Sequence, residues 1–230
     1  MKYMSLQAQV IKFKADSSFV PSIDNAIDEN TARDWQDEES QQEQQYRASA
    51  YSILAALLRT VPSEEILQHI AEFAKVAVDE DELLLSMSTM GLAAESTSLD
   101  AIDDEFHTLF IGLGRGELVP YGSWYLTGYL MEQPLSILRD DLAQLGFQRD
   151  EEVVEPEDHV AALCEVMSMM IQDNAATSVQ SEFFDKHISP WIGRFFGDLS
   201  EAESAIFYRA VGRFGSAYIN IEKNYLSMPV

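Results

Sequence analysis

Cysteine is almost absent from this sequence of 230 residues, because Cys164 is the only one. A single cysteine cannot form an intramolecular disulfide, so the framework of a small disulfide-rich secreted protein is excluded. Cys164 stands among Leu163, Val166 and Met167. That apolar setting predicts a buried structural thiol instead of a nucleophile.

Basic residues are scarce as well. The chain has 15 lysines and arginines against 39 aspartates and glutamates, which gives a formal net charge of -24. A surface this acidic repels phosphate backbones, so we expect no general nucleic-acid binding. The same charge attracts cationic partners and speeds their encounter with the protein.

Long hydrophobic runs are missing too. No apolar segment approaches the roughly 18 residues that a membrane-spanning helix needs, and residues 1–7 lack the apolar region of a signal peptide. We therefore expect a cytoplasmic protein without a membrane span. Hydrophobic residues still make up 47% of the chain, which is enough to build a core.

The alternation of apolar and polar residues that is typical of strands does not occur, and helical spacing takes its place. Tyr46, Ala50, Ile53 and Leu57 begin one apolar stripe at that spacing, and similar stripes recur along the chain. The sequence therefore predicts an all-α fold, a single globular domain of about nine or ten helices.

Prolines and glycines mark where these helices begin and end. Pro62 and Ser63 predict a helix start, and Pro134 starts a helix that Gly146 stops. Pro190 lies inside an apparent helix, and we expect it to kink or divide that helix.

Two segments stand apart from the helical pattern. Residues 1–41 have no sustained period and predict a poorly structured extension with one short helix near residues 23–35, so the helical domain covers 42–230. Residues 148–155 form a polar, acidic connection between two helical halves. A hinge within 146–156 predicts a monomer in slow exchange with a domain-swapped dimer, and a permanent monomer is the alternative.

The most informative local motif is Glu155-Pro156-Glu157-Asp158-His159. Proline suits a first helical turn, and the acids complement the positive end of the helix dipole. A cationic histidine is disfavoured at that end. We therefore interpret the histidine, with its acidic neighbour, as a candidate site and not as a capping residue. Both lie at an expected exposed helix start, where replacing both should cost about 1 kcal/mol or less.

Motifs of common enzymes and metalloproteins are not found. Gly112, Gly114 and Gly116 do not fit a dinucleotide fingerprint, because the next required glycine is Glu117 and no strand precedes them. They predict a loop that ends a helix. The four histidines lack the spacing of metal ligands, so we expect no metal site and no catalytic residue; they are His69, His107, His159 and His187.

Four motifs occur in a definite order: residues 105–112 (EFHTLFIG), 120–125 (PYGSWY), 155–159 (EPEDH) and 187–196 (HISPWIGRFF). This ordered set resembles the TorD/DmsD family of chaperones for molybdenum-containing redox enzymes, over roughly residues 46–226. The resemblance implies a cytoplasmic chaperone, not an enzyme. Its partner would be an apo molybdoenzyme of the trimethylamine-oxide or dimethyl-sulfoxide reductase type, together with the twin-arginine signal peptide of that enzyme.

The same resemblance implies that the chaperone assists cofactor insertion and prevents premature export. It implies no intrinsic cofactor and carries only a weak implication of guanine nucleotide binding. Aromatic residues suit a peptide groove, and carboxylates suit the arginines of a basic peptide. The predicted signal-peptide site consists of Phe106, Phe110, Pro120, Tyr121, Ser123, Tyr125, Glu155, Pro156, Glu157, Asp158 and His159.

Two other functions fit the residues. One is a nucleotide-binding or nucleotide-hydrolysing enzyme centred on Asp158 and His159, against which the missing phosphate-binding loop argues. The other is an all-α adaptor unrelated to molybdoenzymes.

Overall fold

The computed structural model describes residues 29–76, 81–112, 115–149, 153 and 155–228. Within them the chain forms ten α-helices and no β-strand, which confirms the predicted all-α class. The helices are α1 Glu29–Arg59, α2 Glu64–Ala71, α3 Glu82–Glu95, α4 Leu99–Phe106, α5 Gly122–Thr127, α6 Gln133–Gln144, α7 Val160–Gln172, α8 Thr177–Phe183, α9 Ile192–Glu201 and α10 Phe207–Leu226.

Three short helical turns of other geometry continue some of these helices. A 3-10 turn, Glu72–Lys75, follows α2. Two π turns, His107–Ile111 and Phe184–Ile188, follow α4 and α8. The second π turn leads to Pro190, and α9 begins just beyond it, so the predicted division at this proline is confirmed.

Helix α1 begins at Glu29, earlier than the helical pattern that the sequence shows from residue 42. Residues 1–28 lie outside the described part of the chain, so the predicted poorly structured extension stays a prediction there. The helical unit that carries the site runs from Ser40 onward.

The core is formed mainly by the apolar faces of α1, α7, α9 and α10. Two glycines of α10 let it approach α9 closely, since a Cβ atom on Gly212 would lie 2.6 Å from the Ser200 nitrogen and one on Gly215 only 2.3 Å from the Phe196 ring. Cys164 of α7 is fully buried there, and burial raises the pKa of its thiol far above the usual range.

A buried ion pair joins the first and last helices. Arg47 of α1 donates two hydrogen bonds to the Glu222 carboxylate of α10, at 2.6 and 2.9 Å, and both side chains are almost fully buried. The Arg47 guanidinium also lies 4.1 Å from the centre of the Tyr225 ring. A bidentate pair in this geometry fixes the register of α10 against α1.

Carboxylates also decide where α10 begins. The sequence predicts its start near Ser200, but α9 continues to Glu201 and α10 begins at Phe207. Glu105 of α4 accepts hydrogen bonds from the backbone of residues 206–208, and Glu117 accepts two more from residues 203 and 204. These acids hold the intervening residues in a turn, so the helix cannot continue through them.

Candidate functional site

Two of the four sequence motifs meet at one place, which we call the two-motif junction: Pro120, Tyr121, Gly122 and Ser123 against Asp158, His159 and Val160. Gly122 donates its backbone N–H to the Asp158 carbonyl at 2.9 Å, and Val160 donates to the Pro120 carbonyl at the same distance. Tyr121 and His159 are thereby paired in an isolated antiparallel bridge. The extended backbone of this bridge delays the start of α7 from the predicted Pro156 to Val160.

The Asp158 carboxylate holds the start of α5. Its Oδ2 atom accepts the Ser123 backbone N–H at 2.7 Å and the Ser123 hydroxyl at 2.5 Å. Ser123 is fully buried and Asp158 is 4% exposed. The aspartate therefore serves as an N-terminal cap for a helix that begins 36 residues before it in the chain.

His159 is the N-cap of α7. Its Nδ1 atom accepts the Ala161 backbone N–H at 3.1 Å, which requires a ring that is unprotonated at that nitrogen. Burial, with a smaller contribution from the positive charge of Arg59, lowers the pKa of His159 to about 4. The interpretation of His159 as something other than a capping residue is therefore wrong, because the neutral ring avoids the clash with the helix dipole.

The expectation of an exposed helix start is wrong as well. Asp158 and His159 are 4% and 5% exposed, because the Pro120–Ser123 segment covers them. Replacing both removes buried hydrogen bonds along with surface charge, so the cost must exceed the predicted 1 kcal/mol.

The other residues of this acidic motif remain closer to solvent. Glu155, Pro156 and Glu157 are each half-buried. Glu157 accepts a hydrogen bond from Arg139 at 2.8 Å and lies 3.6 Å from Arg149. Internal partners thus neutralise Glu157 and hold Asp158, which leaves Glu155 as the acid of the motif that can meet a ligand.

The aromatic residues of the second motif have different surroundings. Tyr121 is half-buried, its ring centre lies 5.0 Å from that of His159, and burial with the nearby charges of Glu155 and Asp158 raises its pKa to about 12. The Tyr125 hydroxyl donates to Asp198 at 2.8 Å. Arg194 donates to the Tyr125 carbonyl at 2.6 Å, which helps to close the end of α5.

Phe106 and Phe110 form a separate aromatic group. Their ring centres lie 5.0 Å apart, and Phe110 packs edge-on against Tyr208 of α10 at 5.4 Å. Phe106 is 6% exposed and belongs to the core. The structure therefore brings Pro120, Tyr121 and Ser123 together with the acidic motif, and it places the two phenylalanines in packing around α10.

A cavity of about 210 Å³ opens beside the two-motif junction. Ser123 and Asp158 line it, and so does His187, whose Nε2 lies 2.6 Å from Asp141 Oδ2. Lys186 lies at the same distance from that carboxylate and, with His187, lowers the pKa of Asp141. The remaining wall is largely apolar and is formed by Gly122, Leu126, Pro134, Ile137, Leu138, Leu163 and Trp191.

Next to the cavity lies a group of exposed apolar side chains, most of which are absent from the predicted site. We call it the apolar rim: Leu126, Tyr129, Leu130, Met131 and Ile137, with exposed fractions of 42, 70, 49, 73 and 39%. Met131 also has a positive φ of 59°, which is unusual for a residue with a side chain. Three consecutive apolar residues between a helix-ending glycine and a proline were the signal in the sequence.

In the described ranges no three His, Cys, Asp or Glu side chains are arranged so that they could hold a metal ion. Among the described helices, none has both the length and the apolar character that crossing a bilayer requires.

Comparisons with known proteins agree with one another. A family described as nitrate reductase delta subunit matches residues 64–197. Chaperone protein TorD of Vibrio cholerae is 26% identical over 133 residues, which cover 53% of this chain and 60% of that protein. The chain therefore spans about three fifths of the length of that relative.

Two further similarities extend over more of the chain. Chaperone protein TorD of Vibrio atlanticus is 22% identical over 203 residues, covering 79% of this chain and 94% of that protein. The crystal structure of a candidate redox enzyme maturation protein from Archaeoglobus fulgidus superposes with a TM-score of 0.52 at 18% identity. It covers 76% of this chain and 93% of that one, and it shows a shared fold.

Proposed function

Because its match covers more than half of the sequence, this chain belongs to the nitrate reductase delta subunit family, and we propose on that premise that it is a chaperone of redox enzyme maturation. The membership confirms the family that the four motifs indicated, and its curated relatives are chaperones, not enzymes. We further propose that the protein acts in the cytoplasm on an apo molybdoenzyme and its twin-arginine signal peptide.

The observation that carries this proposal is the continuity of the cavity with the apolar rim. Leu126 and Ile137 belong to both, so one apolar surface leads from solvent into the protein. An exposed surface of this kind marks a place where an apolar partner binds. The apolar stretch of a signal peptide has that chemistry, and its burial there would supply most of the affinity.

The basic part of such a peptide needs carboxylates nearby. Glu155 is available beside Tyr121, whereas Glu157 and Asp158 are engaged with Arg139 and Ser123. We therefore assign orientation of the peptide to Glu155 and assign a supporting role to the buried residues of the two-motif junction. A net charge of -24 would attract the basic end from a distance.

Fluorescence anisotropy with a labelled synthetic twin-arginine peptide tests the site. The double variant Leu130→Asn and Met131→Asn should bind at least about tenfold more weakly, since burying two such side chains is worth more than 1.4 kcal/mol. Asparagine tolerates a positive φ, so the variant suits the Met131 backbone. Leu145→Asn, at an exposed leucine just beyond α6, is the matched control. Equal affinity of variant and control would contradict the site.

A salt series separates the two contributions. The effect of Glu155→Gln should shrink at high ionic strength, whereas the effect of the rim variant should persist. An affinity that is flat across the series would remove the electrostatic part of the proposal.

Two further experiments test the partner and the nucleotide. Mass spectrometry of the protein that co-purifies identifies the client enzyme. A titration with guanosine triphosphate, with and without peptide, tests the nucleotide binding that the resemblance weakly implies.

A further inference from the structure

Helix α3 is unusual because it carries no charged residue between Glu82 and Glu95. Its sequence there is LLLSMSTMGLAA, which is apolar around most of the helix. A helix of this kind is normally buried on all sides. Here one side of it faces solvent, so the helix has more apolar surface than the rest of the described chain covers.

The inner side of α3 is tightly packed. Met90 is fully buried, and a Cβ atom on Gly91 would lie only 2.1 Å from the Ala74 nitrogen. The helix packs against α2, the 3-10 turn after it, and α10. The cavity and apolar rim are formed by other elements, from α5 to α9, so the outer side of α3 is a separate surface.

The outer side is a stripe of four residues, which we call the α3 stripe: Leu85, Thr89, Leu92 and Ser96. Leu85 and Leu92 are 53% and 55% exposed. The Thr89 hydroxyl donates to the Leu85 carbonyl at 2.8 Å, and the Ser96 hydroxyl donates to the Leu92 carbonyl at 2.9 Å. Because their own backbone satisfies both hydroxyls, the stripe offers a partner an apolar surface.

Acidic residues stand at both ends of this surface. Asp81 and Glu82 precede the α3 stripe, Glu95 lies within its last turn and Asp100 follows it; all four are exposed. In a symmetric pair of α3 helices, whether parallel or antiparallel, acids of one copy would face acids of the other. Like charges opposed in this way disfavour a second copy of the chain and favour a basic partner.

We propose that the α3 stripe is a docking surface for an amphipathic helix of a partner protein, with apolar residues at i, i+4 and i+7 and basic residues at both ends. Helix against helix buries the two leucines, and the terminal charges fix the register. This surface goes beyond the signal-peptide site and does not depend on it.

The first test uses a labelled helical peptide of that design, with leucines at i, i+4 and i+7 and lysines at both ends. Its affinity for the full chain should fall at least about tenfold with Leu85→Asn and Leu92→Asn combined, and should not change with Leu145→Asn. A peptide of the same composition with scrambled leucine positions keeps the charge and should bind weakly. Equal binding of the two peptides, or equal affinity for the variant, would overturn the proposal.

A second test identifies the occupant without relying on loss of binding. Cys164 is fully buried, so Leu92→Cys introduces a thiol that can be labelled selectively with a benzophenone. Photo-cross-linking should attach the helical peptide at position 92, as shown by mass spectrometry. Cross-links to a second copy, or to another part of the same chain in the presence of peptide, would overturn the assignment to a partner.

Discussion

Two buried carboxylates in this protein do the same physical task in different surroundings. Glu105 of α4 accepts the backbone N–H groups of Ile206, Phe207 and Tyr208 at 2.7 to 3.0 Å and so holds the start of α10. Asp158 accepts the backbone and hydroxyl of Ser123 and so holds the start of α5. Both cap a helix from another part of the chain.

The difference lies in what surrounds them. Glu105 lies against the backbone of the core aromatics Phe207 and Tyr208, whereas Asp158 lines a cavity beside a neutral histidine, a half-buried tyrosine and two half-buried glutamates. A polar motif such as residues 155–159 can thus have a structural role and still position the neighbouring cavity wall. In the proposed signal-peptide site, the acidic motif therefore has a supporting role, and the apolar rim and Glu155 are the groups assigned to contact the peptide.

The largest effect is expected at Glu105. Glu105→Ala leaves three backbone N–H groups without their acceptor and should reduce the free energy of unfolding by about 3 to 4 kcal/mol. Denaturant unfolding followed by circular dichroism measures it. Asp104→Ala, at the exposed neighbouring acid, is the control and should change stability by less than about 0.5 kcal/mol. A similar loss in both variants would contradict the capping role of Glu105.

The surroundings of Asp158, unlike those of Glu105, include a histidine that should make the stability of the protein depend on pH. Folding lowers the pKa of His159 from 6.5 to about 4, so between these values the unfolded chain binds a proton that the folded one does not. Stability should therefore fall as the pH drops from about 6.5 to 4, by up to about 3 kcal/mol. His159→Asn keeps a cap without titrating. The difference in the free energy of unfolding between wild type and variant should change across this pH window. A constant difference would rule out the effect of His159.

The bond between Ser123 and Asp158 should appear as a coupling energy. Ser123→Ala and Asp158→Ala, made singly and together, should give an interaction energy of about 1 kcal/mol, because the first removes the hydroxyl donor and the second its carboxylate acceptor. Glu155→Ala is a control on the same motif. If the two single effects simply add, the short bond at this junction contributes nothing to stability.

The predicted domain swap is expected to change the free energy least. Both carboxylate bonds join residues before the hinge at 146–156 to residues after it, so they could form within one chain or between two. We predict a monomer in slow exchange with a hinge-swapped dimer. Light scattering on separated fractions, before and after mild denaturation, measures it. A single monomeric species at every concentration would exclude the swap, and a dimer without exchanged helices would refute the hinge.

Local signals made the fold predictable from the sequence. Ser63 caps α2, Gly146 ends the segment after α6 with a φ of 82°, and Pro190 divides a helix, all through contacts with near neighbours. The burial of Asp158 could not be predicted, because its partner lies 35 residues away. Glu105 and the start of α10 are separated by 102 residues, and no local pattern connects them.

The two π turns depend on the number of residues in them more than on which residues those are. A π turn contains one residue more than an α-helical turn, as the bond from the Ser189 nitrogen to the Phe184 carbonyl shows. Deleting one residue from Phe184–Ile188 would restore α-helical geometry and rotate everything after it by about 100°. Trp191 would then leave the cavity wall. Single-residue deletions here should therefore harm the protein more than substitutions at the same positions.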